Sequence, residues 1–440
     1  MKHFVNKYIH SLKRLAAGVF TAGIAAIALT GCVNDDLPPC PGGYDPSVPE
    51  GMVQLTLKLV AGQNPFAEAG TRAWPDDYQI GSVAENRINA ENDDFRILLF
   101  SGDGKYLKTF QKETVNGVDT NYPIPVVPSY YTYEVKMLLT DKEVEANPQV
   151  KIMVLANLNS FGKEDGNEYA ALDMALADGS LSTVEEVMKL PLNFYMADFN
   201  NTDEGLPGSE FRNNYWLDNW AMDPQTSFIP MFGCKQFSLY TGVSSEYNAL
   251  DLGDMFLLRS MAKIEVMDIL NRDAGSDLPR VEEVAFYGYN QTGTLIPSPD
   301  IYSHGEQVKT PTYPQIPNPN GQNISLVPFT LPGGTYAWYG YYPETPLPLN
   351  DSERDKLVMS AKIKYINGEG NEAVKTCTFD LIDADEWSQT AGLKALLRNH
   401  IYRLNIVGFS NDGDEGFVGI QYWTVCPWVK FPDVDIPPFE

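Results

Sequence analysis

Alternation of apolar and polar residues begins at residue 52 and constrains the fold more than any other feature. A period of two is typical of a β-strand with one buried and one solvated face. The same alternation, or a continuous apolar run that ends in a turn, recurs along the chain. The first strand places four apolar side chains on one face: Val53, Leu55, Leu57 and Leu59. The later segments are 95–100, 151–158, 262–266, 357–365 and 402–406.

Helical signals are few and lie between the strand segments. Ser182 and Glu185 form a capping-box pattern that predicts a short helix ending near Leu190. A second helix is predicted over 167–177. The 35 glycines and 31 prolines supply many turns. Many short strands with such turns favour antiparallel β-sandwiches, in which each strand keeps one wet face, over a doubly wound sheet.

The N-terminus has the composition of a lipoprotein export signal. Four basic residues precede an apolar stretch from Leu15 to Leu29, and Leu29-Thr30-Gly31-Cys32 follows as a lipobox. The apolar stretch is shorter than the roughly 20 residues that a spanning helix needs. The pattern therefore predicts cleavage between Gly31 and Cys32, with acyl chains such as palmitate anchoring the protein through Cys32.

The chain divides into four predicted segments. Residues 1–31 are the signal peptide, and 32–50 read as a lipidated tether because prolines and glycines recur there. A polar stretch at 241–247 precedes a fresh strand. The predicted sandwiches therefore cover 51–250 and 251–440.

Charge and rare residue types exclude several classes of function. The net charge of −26 repels nucleic acid, so no nucleic-acid partner is expected. Only His304 and His400 lie outside the signal, which leaves little for a histidine-dependent active site or metal centre. The cysteines beyond Cys32 show no close pair, and either a disulfide or isolated buried thiols fits them. These cysteines are Cys40, Cys234, Cys377 and Cys426.

Three local patterns resemble binding or catalytic sites, and each has a structural explanation. The acidic segment 411–416 lacks the ligand spacing of a calcium loop and suits a solvated hairpin. The aromatic run 336–342 could stack on sugars, but a core strand is the preferred interpretation. Paired carboxylates could hydrolyse glycosides only at a spacing that sequence does not reveal. We therefore expect no catalytic residue, no metal and no cofactor.

Several segments resemble the fimbrillin family of type V pili. The opening 29–41, with cysteines at 32 and 40, is similar to FimB-type anchor subunits, which belong to lipoprotein-derived fimbriae of certain anaerobes. The resemblance implies a mostly β fold of two tandem transthyretin-like sandwiches behind a lipoprotein signal and a flexible tether. It extends in order along the chain through 154–158, 229–233, 258–264 and 397–402.

The resemblance also implies assembly by donor-strand exchange, in which a strand of one subunit completes a groove in its neighbour. The apolar face of the first strand would fill that groove in the intact chain. The predicted donor is the C-terminal region 417–434, with an ordinary last strand as the alternative. Val418, Ile420 and Tyr422 lie on one face of this donor, and Trp423 and Val425 lie on the other.

Two roles within a fimbria remain open at this point. Arg72 resembles the processing site of shaft subunits, where proteolysis removes the first strand. The lipobox opening favours a membrane anchor that keeps both lipid and strand, and we prefer this role. The expected location is the surface of the outer membrane, within a fimbrium. Expected partners are other fimbrial subunits, the membrane, and host or bacterial surface ligands. A glycan-binding surface lipoprotein is the alternative of another class.

Overall fold

The computed structural model places most of the predicted strands. The residues that it describes, to which the following account applies, are 41–61, 88–89, 94–115, 118–126, 132–158, 168–190, 192–195, 229–239, 247–268, 280–286, 292–297, 302–303, 306–307, 324–325, 327–330, 336–346, 358–366, 371–380, 395–396, 398–406 and 423–427.

The first part of the chain contains thirteen strands and three helices within the described residues. In chain order these are β1 (Pro41–Gly43), β2 (Met52–Val60), β3 (Phe95–Ser101), β4 (Tyr106–Phe110), β5 (Glu113–Val115), β6 (Val118–Thr120), β7 (Ile124–Pro125), β8 (Thr132–Thr140), α1 (Asp141–Ala146), β9 (Gln149–Ala156), α2 (Glu168–Ala177), α3 (Val184–Met188), β10 (Asn193–Tyr195), β11 (Met231–Ser238), β12 (Ala249–Phe256) and β13 (Leu258–Arg259).

Ten of these strands form two five-stranded sheets. The strand orders are β1-β12-β2-β8-β7 and β13-β11-β9-β3-β4. β2 lies in the middle of the first sheet. It pairs antiparallel with β8 over its whole length and parallel with β12. All other pairings in these two sheets are antiparallel.

Apolar side chains from both sheets form the core. On β8 the burial alternates strictly, with Tyr133, Val135, Met137 and Leu139 buried. β3 is buried at every position from Arg96 to Phe100, so both of its faces are covered. In β8, burial therefore alternates because only one face packs on the core. In β3, the continuous apolar run corresponds to a strand that is covered on both faces.

The second part of the chain contains fourteen strands within the described residues. They are β14 (Met261–Asp268), β15 (Arg280–Phe286), β16 (Thr292–Thr294), β17 (Tyr302–Ser303), β18 (Glu306–Gln307), β19 (Ile324–Ser325), β20 (Val327–Thr330), β21 (Tyr336–Pro343), β22 (Thr345–Pro346), β23 (Val358–Ile366), β24 (Glu372–Asp380), β25 (Ala395–Leu396), β26 (His400–Ile406) and β27 (Trp423–Pro427).

The sheets of this part repeat the strand order of the first. One sheet is β20-β21-β14-β26-β27, and it matches β7-β8-β2-β12-β1 in position and direction. In both, the central strand has an antiparallel neighbour on one side and a parallel one on the other. The other sheet, β19-β15-β23-β24, matches β4-β3-β9-β11. The mostly β fold of tandem antiparallel sandwiches is thus confirmed, and each tandem unit contains one parallel pair.

The changeover between the two sets of sheets lies a few residues beyond the predicted boundary at 250. β12 spans residue 250 and pairs with β2. β13 still pairs with β11, whereas β14 pairs with β21. The chain therefore passes from one set to the other at Ser260, between Arg259 and Met261.

The helices differ from the predictions in detail. The helix expected over 167–177 is α2. The capping box of α3 uses Thr183 and Glu186, one residue later than the predicted pair of Ser182 and Glu185. α1 was not predicted, although Thr140 and Glu143 form a complete capping box there. None of the helices in the described part of the chain is long and apolar enough to cross a bilayer.

Candidate functional site

β2 lies between β8 and β12 in the first sheet, and we call this position the β2 slot. The apolar face of β2 fills it with four side chains. Val53, Leu55, Leu57 and Leu59 are each 0% exposed. Burying such side chains is worth roughly 1.5–3 kcal/mol each, or about 6–12 kcal/mol together as an upper bound. The main chain of β2 is also paired on both sides. A chain without β2 would therefore have both an apolar groove and two unpaired strand edges.

The other face of β2 is partly solvated, with Met52 half-buried at its start and Val60 buried at its end. Gln54 is buried, Thr56 is half-buried and Lys58 is exposed. The Nζ atom of Lys58 lies 3.6 Å from Oδ1 of Asp254 on β12, and both side chains are 49% exposed. An ion pair this exposed contributes little to stability. The buried leucine and valine side chains therefore dominate the energetics of the slot.

The residues that follow Cys40 form the edge strand next to β12, whereas the sequence predicts a tether through residue 50. β1 pairs antiparallel with β12, with Pro41 opposite Leu250 and Gly43 opposite Ala249. Proline and glycine disfavour regular structure locally, which is why the sequence predicts a tether here. Proline is tolerated in β1 because an edge strand does not need every backbone N–H for the ladder.

A side-chain clamp holds the segment 41–48, which we call the entry segment. The amide of Asn248 accepts a hydrogen bond from the Asp45 N–H at 2.7 Å and donates to the Asp45 carbonyl at 2.9 Å. Hydrogen bonds from the Ser47 hydroxyl and N–H to the Asp45 carboxylate lower the pKa of Asp45 below 3.8. Val48, at the end of the segment, is buried. The described chain is therefore tied to the first sheet from residue 41 onward.

We expect Asn248→Ala to release the entry segment without unfolding the sheets. Two partly buried hydrogen bonds would be lost, worth about 1–3 kcal/mol in local stability. Hydrogen exchange should accelerate at 43–48 and remain unchanged in β8. Asn147→Ala, which removes a side-chain hydrogen bond at the end of α1, is the matched control. Unchanged exchange at 43–48 would contradict the clamp.

The predicted donor region is only partly described. Val418, Ile420 and Tyr422 lie outside the described residues, whereas Trp423 and Val425 belong to β27. β27 pairs antiparallel with β26 and stands last in the strand order of its sheet. Its position matches that of β1 in the first sheet. Its interpretation as a donor strand and its interpretation as an ordinary last strand therefore both stay predictions.

The predicted processing sites lie outside the described residues. This applies to Gly31, Cys32 and Arg72, as well as to Cys40. Cys234 is a buried thiol on β11, 3% exposed. Cys377 and Cys426 fall on the backbones of β24 and β27.

A buried polar junction, absent from the predictions, joins two of the motifs that carry the family resemblance. An Arg259 guanidinium N–H donates to the amide oxygen of Asn399 at 3.2 Å, and the Asn399 N–H donates to the Met261 carbonyl at 2.8 Å. Asn399 has a φ of 59°, a left-handed conformation that asparagine tolerates better than most residues. The motifs around residues 259 and 399 therefore meet at the start of the β14–β26 pair.

The same junction contains a buried carboxylate. Nε of Arg398 lies 2.8 Å from Oε2 of Glu344, and both side chains are at most 2% exposed. Burial raises the pKa of Glu344 above 4.5, although Arg398 acts in the opposite direction. Arg398 also donates to the Leu295 carbonyl and the Thr294 hydroxyl. These contacts hold the turn before β26 against the end of β16, so their role is structural.

β14 departs from the prediction that one face is wet. All eight of its residues are buried, including Lys263 and Glu265. The Lys263 ammonium lies 2.7 Å from the Glu265 carboxylate. It also lies 5.8 Å and 5.7 Å from the ring centroids of Tyr339 and Tyr341. Lys263 and Glu265 therefore neutralise each other inside the protein instead of facing water.

The aromatic run 336–342 lies in β21, inside the core. Trp338 is 3% exposed and Tyr342 is 0% exposed. The core interpretation is therefore correct, and this run offers no platform for sugars. The acidic segment 411–416 lies outside the described residues. In the described ranges, no three His, Cys, Asp or Glu side chains cluster in a way that could hold a metal ion.

Comparisons with known proteins give structural likenesses only. No family model matches the sequence, and no curated protein matches it either. The tip fimbrial protein Mfa3 of Porphyromonas gingivalis, truncated at its C-terminus, is similar at 14% identity and a TM-score of 0.45. The match covers 86% of this chain and 100% of that one.

Two structures from Parabacteroides distasonis are also similar. One is described as a candidate cell adhesion protein, with 12% identity, a TM-score of 0.41, and coverage of 86% of this chain and 99% of that one. The other is a fimbrial assembly protein, with 13% identity, a TM-score of 0.34, and coverage of 85% and 95%. Identities this low, with TM-scores under 0.5, assign no function to this chain.

Proposed function

We propose that the protein is a structural subunit of a cell-surface fimbria and that it anchors the fimbria to the outer membrane. The lipobox would supply the lipid on Cys32. The entry segment and β2 would connect that lipid to the first sandwich without a long free linker. This role is structural and needs no catalytic residue, metal or cofactor.

One observation carries the choice of an anchor over a processed subunit. The strand neighbours of β12 are β1 and β2, and both precede Arg72. Cleavage after Arg72, with loss of the upstream segment, would remove two strands and leave β12 without a neighbour in its sheet. Only β7 and β8 would remain paired there. A subunit that keeps its N-terminus keeps this sheet, and it also keeps its lipid.

A processed shaft or tip subunit is the second candidate. Arg72 lies in the stretch between β2 and β3, so a cut there would break neither strand. An incoming donor would then have to replace both β1 and β2. Two successive strands from a neighbouring subunit, pairing through their main chains, could do so.

The partners follow from this proposal. An anchor with a complete first sheet would act as the donor, and β27 is the segment at the appropriate end of the chain. Its receiver would be another fimbrial subunit that lacks its own first strand. The lipid would bind the outer membrane, and host or bacterial surface molecules would be contacted through the assembled fimbria.

Mass determination of the mature N-terminus distinguishes the roles. The anchor predicts an acylated Cys32 in both membrane and fimbrial fractions, because the lipid would attach the subunit to the membrane while its fold remains part of the fimbria. Cys32→Ser should shift the protein from the membrane fraction to the soluble one. Cys40→Ser, eight residues later, is the matched control and should remain membrane-bound. A mature N-terminus at Ala73 would contradict the anchor and favour the processed subunit.

A further inference from the structure

The point at which the chain crosses between the two sandwiches is a single buried residue. Among the described strands, the crossing is at Ser260, which is 1% exposed. Domains joined at one point normally move about that point unless a further interface holds them. Two hydrogen bonds of Ser260 oppose such movement. Its N–H donates to the Pro230 carbonyl of the first sandwich at 2.8 Å, and its hydroxyl donates to the Leu295 carbonyl of the second at 3.0 Å.

A second connection between the sandwiches is made by β10. This strand follows α3, which is attached to the first sandwich because the Val184 N–H donates to the Gly104 carbonyl at 2.8 Å. β10 nevertheless pairs antiparallel with β16 of the second part over all three of its residues. The Leu295 N–H extends this ladder by donating to the Leu192 carbonyl at 2.7 Å. The two sandwiches therefore share a two-stranded sheet in addition to their covalent link.

The side chain of Phe194 packs inside this shared sheet. Phe194 is 0% exposed and lies opposite Gly293 on β16. The far end of its ring, comprising Cζ and both Cε atoms, occupies the space that a Cβ atom on residue 293 would need. Glycine within a strand typically marks such a close approach. Contact between the ring and the glycine backbone therefore holds β10 on β16, and the buried side chains of Leu192 and Leu295 enclose the end of the ladder.

We propose that β10, with the side chain of Phe194, is a latch that locks the crossing at Ser260, so that the two sandwiches unfold as one body. Two bodies joined at one point can bend about it, whereas a second attachment elsewhere in the sequence removes that freedom. A pull between the first and the last strands of the chain would cross this boundary and load the latch. That mechanical consequence rests on the proposed anchor role, whereas the latch itself does not.

Pulse-labelling hydrogen exchange of the full chain across a urea series tests the latch. β8 reports on the first sandwich and β23 on the second, and mass spectrometry measures both in one sample. In the wild type the two strands should lose protection at the same urea concentration, within about 0.2 M. Clearly separate midpoints in the wild type would overturn the proposal, because domains without a tight interface unfold independently.

Two single variants open the latch in different ways. Phe194→Ala empties the space beside β16, and Gly293→Ala forces a Cβ atom into the ring. Each should move the midpoints of β8 and β23 at least about 0.5 M apart. The double variant Phe194→Leu/Gly293→Ala should bring them together again, because leucine lacks the three ring atoms that the new Cβ would overlap. Coincident midpoints in both single variants would overturn the latch, as would midpoints no closer in the double variant than in Gly293→Ala.

A core variant outside the latch is the matched control. Ile152→Ala leaves a cavity on β9 of the first sandwich, where the wild-type side chain is 0% exposed. With the latch intact, the β8 and β23 midpoints should fall together by the same amount, although the cavity lies in one sandwich. A fall confined to β8 would contradict the latch. None of these measurements involves the lipid, so failure of the latch would leave the anchor role standing.

Discussion

Replacing Leu57 by aspartate should destabilise the first sandwich by more than about 4 kcal/mol, because a carboxylate would enter a site that is 0% exposed. Its strand neighbours on both sides remain paired, so water cannot readily reach the new charge. Urea denaturation followed by circular dichroism measures the change. Lys58→Gln, on the adjacent exposed position, should change the unfolding free energy by less than about 1 kcal/mol.

The same variant tests whether the slot accepts a strand in trans. A peptide of residues 51–61 should bind Leu57→Asp protein and raise its melting temperature, because the peptide restores the four buried side chains. The same peptide carrying aspartate at position 57 is the control and should have no effect. If Leu57→Asp were as stable as the wild type, the slot would not be the dominant packing site of this sheet.

Replacing Glu265 by leucine should cost about 3–5 kcal/mol, since the Lys263 ammonium would lose the carboxylate 2.7 Å away inside the core. The double variant Lys263→Met/Glu265→Leu should recover most of that loss and lie within about 1 kcal/mol of the wild type. Unfolding free energies of the two single variants and the double variant form the measurement.

A matched pair on the surface is the control for this cycle. Lys108 and Glu143 lie 3.0 Å apart, but their side chains are 32% and 39% exposed. The corresponding double-mutant cycle should give a coupling of about 0.2–1 kcal/mol. If the coupling free energy between residues 263 and 265 were no larger than this, burial would not strengthen the ion pair.

Local sequence patterns predicted the structural features that depend only on residues close together in the chain. The face of β2 was predictable because its apolar side chains alternate and the core covers one side. The buried run 151–158 likewise identified β9. The parallel pairing of β2 with β12 was not predictable, because Gln54 and its partner Ala249 are far apart in the chain. Neither segment has a sequence pattern that identifies the strand with which it pairs. β1 was missed because tertiary contacts, above all with Asn248, override the local preference of proline and glycine.

The error at β14 and the unpredicted buried junction have a common cause. Lys263 and Glu265 alternate with apolar residues just as solvated residues do, and only the structure shows that they neutralise each other. The junction brings Arg259, Glu344 and Arg398 together from three separate segments. The spacing of residues within one segment cannot predict such contacts, whereas the buried face of β2 lies in a single segment.

The parallel pairing of β2 with β12 also determines when the first sheet can be completed during synthesis of the chain. The hydrogen bonds between Asp45 and Asn248 span 203 positions. The first sheet therefore cannot close until the ribosome has added residues up to Phe256, and contacts this remote slow the closing step. Until then β2 can pair only with β8, and its other edge stays open along its whole length.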